Sequence, residues 1–483
     1  MQPRVGFNWK ATDRLIVRGG FGVFAGGSPD VFLANSFSNT GLLTNEVRIR
    51  RNTTANQCDV ATTVVNAAAI CNAALNNVTL TTIPGVITNF LATNTASLAA
   101  APVNAIDPNL KIARQFRATF SVDYDADLGP LGQGWLFGAN LLYGNTMQGY
   151  TWTDARSVPI AGNILPDGRA RYGGLIVNDS NPDLLMTNST SGRSYVGVIR
   201  MAKSWDFGLS IDGSYTRSNV KDENAITSTT ASSLYSNNVF VDFNRAAYGR
   251  SIYEIRDQWK FNIDYKTELF GDNETRIGIF GEYRSGRPYS LTALDRTTGR
   301  AVVLGTVGNG GRGLLYVPTL TDSRVSFDSV ATQDKFNALV AANGLEKFRG
   351  KILPKNSQTS PDFFKVDVHL SQEIPLFVGS AKIKLFADIE NVLNMINSKW
   401  GALRQVNFPY AASAVDVACL AGPVPTGSAP GSANPAGGTF AAANTASTGT
   451  CAQYRYSAVV SPDEVLQGRV SLYGIRVGVK VSF

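Results

Sequence analysis

The sequence predicts an all-β fold, an antiparallel transmembrane β-barrel with short turns on one side and long loops on the other. Two observations support this prediction. Runs of about nine residues, such as FRATFSVDY and WLFGANLLY, alternate apolar and polar residues and so place one apolar face on each strand. Aromatic residues such as Phe116 and Tyr124 end these apolar faces. At about 3.3 Å per residue and a tilt near 40°, such a run covers roughly 20 Å of the membrane normal, close to the apolar band of an outer-membrane barrel.

About eleven strands are predicted, with tight turns near residues 12–14, 125–134, 203–206, 270–274 and 375–380. The runs are Arg4 to Lys10, Leu15 to Phe24, Phe116 to Tyr124, Trp135 to Tyr143, Ser194 to Met201, Phe207 to Tyr215, Trp259 to Tyr265, Ile277 to Tyr283, Phe364 to Leu370, Ile383 to Ile389 and Tyr473 to Phe483. The predicted long loops span about 25–111, 145–193, 217–256, 285–361 and 391–467. Loops of this length are rare in compact soluble domains and normal on the external side of outer-membrane barrels.

A closed antiparallel barrel normally has an even number of strands, whereas about eleven, an odd number, are predicted here. If the last strand ends in the periplasm, an odd count means that the first strand starts outside the cell. We therefore expect residues 1–483 to be the C-terminal part of a larger barrel, without a plug domain. The N-terminal residues MQPRVGFNWK lack the apolar segment of a signal peptide, which agrees with the expectation of a fragment.

Composition limits the function classes. The chain has 483 residues, 44% of them hydrophobic and 17% charged, and a net charge of +7. No stretch is long and apolar enough for a transmembrane helix, so insertion by strands is expected. Lys and Arg are scattered without a basic run, and nucleic-acid binding is therefore not expected.

The four cysteines lie outside the alternating runs. Their wide spacing and the single histidine argue against a zinc site, so neither a metal nor another cofactor is expected. We predict two loop-closing disulfides in an oxidising compartment, Cys58 with Cys71 and Cys419 with Cys451. The low-complexity residues 411 to 453 are expected to be mobile except where the second disulfide ties them. The glycine-rich segment Gly305 to Gly313 is interpreted as a flexible part of an external loop.

The histidine suggests a catalytic hypothesis, because His369 shares a strand face with Asp367 and Ser371. Side chains two residues apart on a strand stand parallel and roughly 6.7 Å apart, so a hydrogen-bonded relay is difficult to form. A polar stripe facing the barrel lumen explains the three residues better, and we expect no catalytic residues and no enzyme activity. The other residues predicted to face the lumen carry both signs of charge: Lys260, Asp264, Arg276, Glu282, Arg284, Lys382, Lys384 and Asp388.

The chain ends on the alternating strand RVGVKVSF, with Phe483 as its last residue. This ending resembles the C-terminal signal that the barrel-assembly machinery recognises in outer-membrane proteins. Arg476, Gly478, Val481 and Phe483 occupy the polar, glycine and apolar positions of that signal.

A wider resemblance covers nearly all the strand regions. PRVGFNWKATDRLIVRGGFGVF and the stretch from Asp362 to Trp400 resemble TonB-dependent outer-membrane receptors of the Oar-like group. Within that stretch, DIENVLN is similar to the family signature D-x-x-N-L-F-N and aligns Asp388, Asn391 and Asn394 with its polar positions.

The resemblance implies the second half of a twenty-two-stranded barrel in the outer membrane of a Gram-negative cell. It also implies a receptor that binds an extracellular ligand through its long loops and takes it up with inner-membrane energy. In that family the plug and the box that contacts the TonB complex precede the barrel. A non-transporting barrel with a structural or adhesion role is the alternative. An outer-membrane enzyme is the weakest hypothesis, because titratable groups do not converge.

The terminal aromatic residue leads to the first testable prediction. Phe483→Ala in the full-length protein should lower outer-membrane assembly, because the residue serves recognition by the assembly machinery. Ligand specificity should stay unchanged. The heat-modifiable band in membrane fractions measures assembly, and an unchanged band would contradict the prediction.

Overall fold

The computed structural model describes residues 2–38, 40, 47, 49–51, 56–58, 60, 63–93, 102–173, 182–242, 244–294, 311–376, 381–422 and 450–482. Within these residues, eleven long strands succeed one another in chain order in one antiparallel sheet. We number them β1 to β11: Arg4–Thr12, Leu15–Ala25, Arg114–Ala126, Trp135–Asp154, Gly192–Ser204, Leu209–Asp222, Asp257–Glu268, Glu274–Arg284, Phe363–Pro375, Lys382–Glu390 and Gly474–Ser482. Each predicted run overlaps one of these strands. In the described part of the chain, β1 and β11 form the two edges and do not pair with each other.

One face of this sheet is apolar and exposed. Ile211, Ile263, Ile279 and Val368 face one another across β6 to β9, and residues opposite each other in a ladder point to the same side. The alternation of the runs predicts that their apolar side chains project outward from the sheet. Among these side chains, none of the following is buried: Phe120, Leu141, Ile211, Ile263, Ile279, Val368 and Leu385. Leu141, for example, is 59% exposed. Two packed sheets would have buried these residues between them, so a sandwich is excluded for this part of the chain.

Aromatic side chains gather at both ends of the apolar face. Near the short turns, the rings of Trp135 and Trp205 lie 5.7 Å apart. At the loop ends of the strands, Tyr215 and Trp259 lie 4.4 Å apart. Aromatic rings prefer the two interfaces of a membrane, so the apolar face has the dimensions and the borders of a lipid-facing surface.

The loop side contains more regular structure than the sequence indicated. Seven helices are described: α1 Asp30–Ser38, α2 Ala67–Asn76, α3 Gly85–Thr93, α4 Ala231–Ser236, α5 Val330–Ala342, α6 Val392–Ile396 and α7 Gly468–Ser471, with 3-10 turns at Gly129–Leu131 and Glu346–Phe348. No helix in the described ranges is long and apolar enough to cross a membrane. Short strands outside the second sheet are Ile49–Arg51, Asn56–Cys58, Asn104–Ile106, Val158–Ile164, Ala170–Gly173, Leu184–Ser189, Gly249–Arg250, Tyr316–Val317, Lys351–Ile352, Arg404–Val406 and Glu464–Leu466.

A second, eight-stranded sheet lies among the loops. Its strands are Phe240–Asp242, Arg245–Ala246, Pro288–Leu294, Gly313–Leu314, Val325–Phe327, Gln358–Thr359, Ala411–Leu420 and Gln453–Ser457. We call this sheet, with the loop residues packed against it, the cap. Its pairing is mixed, since Pro288–Leu294 runs parallel to Ala411–Leu420 and antiparallel to Gly313–Leu314.

One apolar core holds the cap together, and four loops contribute to it. Tyr172 comes from the loop between β4 and β5, and Phe240 from the loop between β6 and β7. Phe336 belongs to the loop between β8 and β9, while Val415 and Tyr456 belong to the loop between β10 and β11. The rings of Phe336 and Tyr456 lie 5.5 Å apart. The four loops therefore order one another by burying a common apolar surface.

Two expectations about these loops were wrong. Ala411–Leu420, expected to be mobile, forms a strand in which Val415 and Leu420 are fully buried. Arg312, in the glycine-rich segment expected to be flexible, is buried and stacks on the rings of Tyr235 and Phe240 at 4.5 and 4.8 Å. Residues 423–449 and 305–310 of the same segments lie outside the described residues. Local composition misled here because the described parts of both segments pack against partners far away in the sequence.

The cysteines are joined in two disulfides, Cys58 with Cys71 and Cys419 with Cys451. Cys71 lies in α2, whereas Cys419 lies in the buried strand Ala411–Leu420. The second bond therefore fixes the end of a cap strand, and the first ties the helix to the segment before it. Closing a loop of about fifteen residues stabilises by roughly 3 kcal/mol in the chain-entropy model.

The shared core leads to a test with a matched control. Phe336→Ala should destabilise the cap by about 3–5 kcal/mol, because Phe336 is fully buried and its loss leaves a cavity. Phe37→Ala, which removes a ring that is 81% exposed, should change cap stability by less than about 0.5 kcal/mol. Hydrogen exchange of the cap backbone measures the difference. Equal protection in both variants would show that the four loops do not depend on one core.

Candidate functional site

Ion pairs link the strands across the polar face of the sheet. Asp123 of β3 accepts hydrogen bonds from Arg18 of β2 and Arg200 of β5, both at 2.5 Å. The Arg200 side chain reaches Asp123 by crossing β4 at Gly138, where a Cβ atom would lie 2.3 Å from its Nε atom. The glycine therefore makes room for a charge pair that spans three strands.

Several residues predicted to face the lumen take part in similar pairs. Arg276 contacts Asp264 at 2.6 Å, and Lys384 contacts Glu274 and Glu373 at 2.8 and 3.1 Å. Glu282 accepts from Gln258 Nε2 at 2.7 Å, and Arg284 lies over the ring of Phe363. Such half-exposed pairs each stabilise by at most about 1 kcal/mol, so their main effect is to balance charge on the polar face.

A cleft of about 250 Å³ opens on the polar face between β7 and β11. Asp388 lines this cleft, with His369 Nδ1 at 2.6 Å from one carboxylate oxygen and Arg476 Nη2 at 2.6 Å from the other. The three residues come from β9, β10 and β11. Both oxygens of the Asp388 carboxylate are thus hydrogen-bonded, one to His369 and the other to Arg476. The polar residues that line the cleft can form hydrogen bonds with a polar ligand.

The three residues of the catalytic hypothesis have separate partners. His369 contacts Asp388 on the adjacent strand, whereas Asp367 accepts hydrogen bonds from Lys365 Nζ and from the Asn391 backbone N–H, both at 2.8 Å. Ser371 Oγ is buried and has no hydrogen-bond partner among the described residues. The geometry in this region therefore links His369 to Asp388 and not to a nucleophile.

The two asparagines of the signature fix the turn that follows β10. Asn391 adopts the left-handed conformation, with φ of 51°, and its Nδ2 donates to the carbonyl oxygens of Gly401 and Ser471 at 2.9 and 2.7 Å. Asn394 Nδ2 donates to the carbonyl oxygens of Ser398 and Trp400 at 3.1 and 3.0 Å. Asparagine tolerates this backbone conformation better than most residues do, and its amide supplies the donors. The signature thus joins the end of β10 to the segment before β11.

The described residues of the assembly signal have distinct places. Arg476 pairs with Asp388, and Val481 is exposed on the apolar face. Gly478 lies under the ring of Phe386, where a Cβ atom would be 2.4 Å from the ring. Phe483 lies outside the described residues. The sequence did not single out Phe386, although its ring explains why only glycine fits opposite it.

Buried charge lies where β4 enters the cap, beyond the aromatic belt. Burial raises the pKa of Asp154, although hydrogen bonds from the Ser157 hydroxyl and the Arg156 backbone N–H oppose the shift. Burial also raises the pKa of Tyr235 to about 12, against the nearby Arg312. Sequence reasoning missed these groups because burial in the cap was not expected. Within the described ranges, no group of three or more His, Cys, Asp or Glu residues could hold a metal ion.

The chain belongs to the outer membrane beta barrel domain family, whose model matches residues 1–400. It is an integral protein of the outer membrane. Among solved structures, it is similar to the FrpB iron transporter from Neisseria meningitidis (F3-3 variant), with 10% sequence identity and a TM-score of 0.33 over 81% of this chain and 35% of that one. The chain therefore spans about a third of the length of that structure. No curated protein matches the chain.

The signature asparagine leads to a stability prediction. Asn391→Ala should destabilise the folded barrel by about 2–4 kcal/mol, because two carbonyl oxygens lose their donor and alanine strains the left-handed backbone. Asn391→Gly relieves the strain and should recover only part of the loss. Asn397→Ala, which removes one exposed hydrogen bond from the Lys399 backbone N–H in the same turn, is the control and should cost less than about 1 kcal/mol. Urea unfolding followed by gel mobility measures all three, and full recovery in the glycine variant would exclude a role for the hydrogen bonds.

Proposed function

We propose that this chain is part of a TonB-dependent receptor that binds an extracellular ligand with its cap and takes it up using inner-membrane energy. The observation that carries the proposal is the shared core of the cap, to which residues of four separate loops contribute. Loops that only connect strands need no common core. A folded unit on the loop side offers a preorganised surface, which lowers the entropy cost of binding.

The polar face supports the same function. Carboxylates on this face are paired with cations, as in the contacts of Asp123 and Asp388, so the face is polar without a large charge of one sign. A surface of this kind can face a plug or a water-filled path. We propose no catalytic role for these residues.

The proposed partners follow from the resemblance. Arg476, Gly478, Val481 and Phe483 would be read by the barrel-assembly machinery, and the apolar face would contact outer-membrane lipid. Coupling to the TonB complex would use the plug and the TonB-contacting box, which such receptors carry ahead of the barrel. The Oar-like group and the position of this chain as the second half of a twenty-two-stranded barrel belong to the same proposal. Iron chelates, oligosaccharides and peptides are the ligand classes to test.

The alternative, a barrel with an adhesion role, is favoured by one segment. Residues 60–106 contain no charged side chain, and the connection between α2 and α3 exposes Val78, Leu80 and Ile83. An exposed apolar tip suits contact with another surface more than uptake of a polar solute.

Uptake assays with matched variants test the proposal. The full-length protein should accumulate one of the three ligand classes in energised cells, and a TonB-deficient strain should not. Phe336→Ala should lower binding of that ligand about tenfold or more at unchanged membrane abundance, because the cap surface loses its support. Phe37→Ala should leave binding unchanged. If no ligand class is accumulated while Leu80→Ser abolishes attachment of cells to a surface, the adhesion function replaces the receptor.

A further inference from the structure

The turn after β10 and the segment before β11 form one small unit at the loop end of these strands. Asn391 ties the turn to Ser471, and the Leu403 backbone N–H donates to Ser471 Oγ at 2.9 Å. Arg404–Val406 pairs with Glu464–Leu466 as a two-stranded sheet. These hydrogen bonds hold the two segments together, and the Val406 backbone N–H donates to Ser360 Oγ outside the unit.

Exposed apolar side chains lie in several parts of this unit. Leu466 lies in its two-stranded sheet, and five others lie in or near its two short helices. Three of the five belong to α6 and the turn that follows it, and two to α7 and the residue after it: Met395, Ile396, Trp400, Val470 and Leu472. We call these five the rim cluster. Trp400 is 52% and Leu472 65% exposed, although Leu403 and Ser471 beside them are buried. Exposed apolar patches on such a unit mark a contact surface.

The position of the rim cluster identifies what it contacts. Leu472 is followed by Tyr473, which lies directly before β11, and then by Ile475 on β11, and both are exposed residues of the same alternating apolar series. That series continues through Val481 and belongs to the lipid-facing surface of an integral outer-membrane protein. The rim cluster therefore extends an established lipid interface past the strand ends, to the part of the acyl chains that lies next to the lipid headgroups.

The charged side chains of the unit also fit contact with lipid. Lys399, Arg404 and Arg469 are exposed, and none of them forms an ion pair in the described part of the chain. Burial raises the pKa of Glu464 on the paired strand, although the nearby Arg404 opposes the shift. Cations next to exposed apolar residues match a lipid whose phosphate groups lie above its acyl chains.

We propose that the rim cluster inserts among the acyl chains of the outer leaflet while Lys399, Arg404 and Arg469 bind the phosphate groups of the same lipid. The unit thereby anchors the end of β10 and the start of β11 at a fixed depth in the membrane. The proposal is independent of transport, since it needs only the outer-membrane location.

Fluorescence of Trp400 tests the insertion. The protein is reconstituted in phosphatidylcholine vesicles, and the emission of the Trp400→Phe variant is subtracted from that of the wild type, which isolates one of the six tryptophans. Dibrominated phosphatidylcholine with bromines near the headgroup should quench the isolated emission more than bromines near the chain ends. Aqueous iodide should not quench it. Quenching by iodide, or by neither reagent because protein covers the ring, would overturn the proposal.

Lipid retention tests the phosphate contacts. The Lys399→Gln/Arg404→Gln/Arg469→Gln variant should retain about a hundredfold less diphosphorylated lipid A than the wild type after detergent exchange, because each of the three cations near a lipid surface contributes roughly a fivefold factor in affinity. The matched control is Lys335→Gln/Lys347→Gln/Lys351→Gln, which removes three exposed cap lysines and the same net charge. It should retain lipid A like the wild type. Equal retention in the two triple variants, both heat-modifiable and therefore folded, would refute the role of the rim cations.

Discussion

The backbone hydrogen bonds of the antiparallel ladder are the interaction on which the rest of the structure depends. In hydrocarbon, an unpaired N–H or C=O group costs several kcal/mol, so each strand must pair along its length with its neighbours. The ladder from β1 to β11 meets this requirement for every strand between its edges. It also sets which side chains meet, as in the row from Ile211 to Val368 and in the contacts of Asp388 with its two neighbouring strands. The lipid face, the polar face and the signature turn all follow from this one register.

The membrane strands could be predicted from the sequence for a simple physical reason. Lipid on one side and water or protein on the other impose an alternation that is local, so a run such as WLFGANLLY reveals both its strand and its face. The ends of the strands were predicted less well. β4 continues to Asp154 because its last residues pair with Leu184–Ser189 and enter a core, and neither fact is visible in the alternation.

The cap was not predicted because almost all the contacts that order it join residues far apart in the sequence. Its strands are short, and Ser290 pairs with Ala411 across more than a hundred residues of intervening chain. Low-complexity composition usually denotes a segment that cannot bury enough apolar area. Here Ala411–Leu420 pairs with Pro288–Leu294 from another loop and is buried in the core that several loops form. The site residues also differ in whether the sequence alone reveals them. Asp388 and Asn391 stood out by resemblance, whereas Phe386 and Arg312 acquire their roles only from residues that the fold brings near them.

The common core of the cap also means that the four loops are thermodynamically linked. A loop that ends at its own hairpin can move alone, but a displacement of Tyr172 or Phe240 exposes apolar surface of the other three loops as well. Any contact made at one loop therefore changes the free energy of positions in all four, and by reciprocity each of the others changes the strength of that contact. The four loops of the cap therefore respond as one cooperative body, whichever of the four makes a contact first.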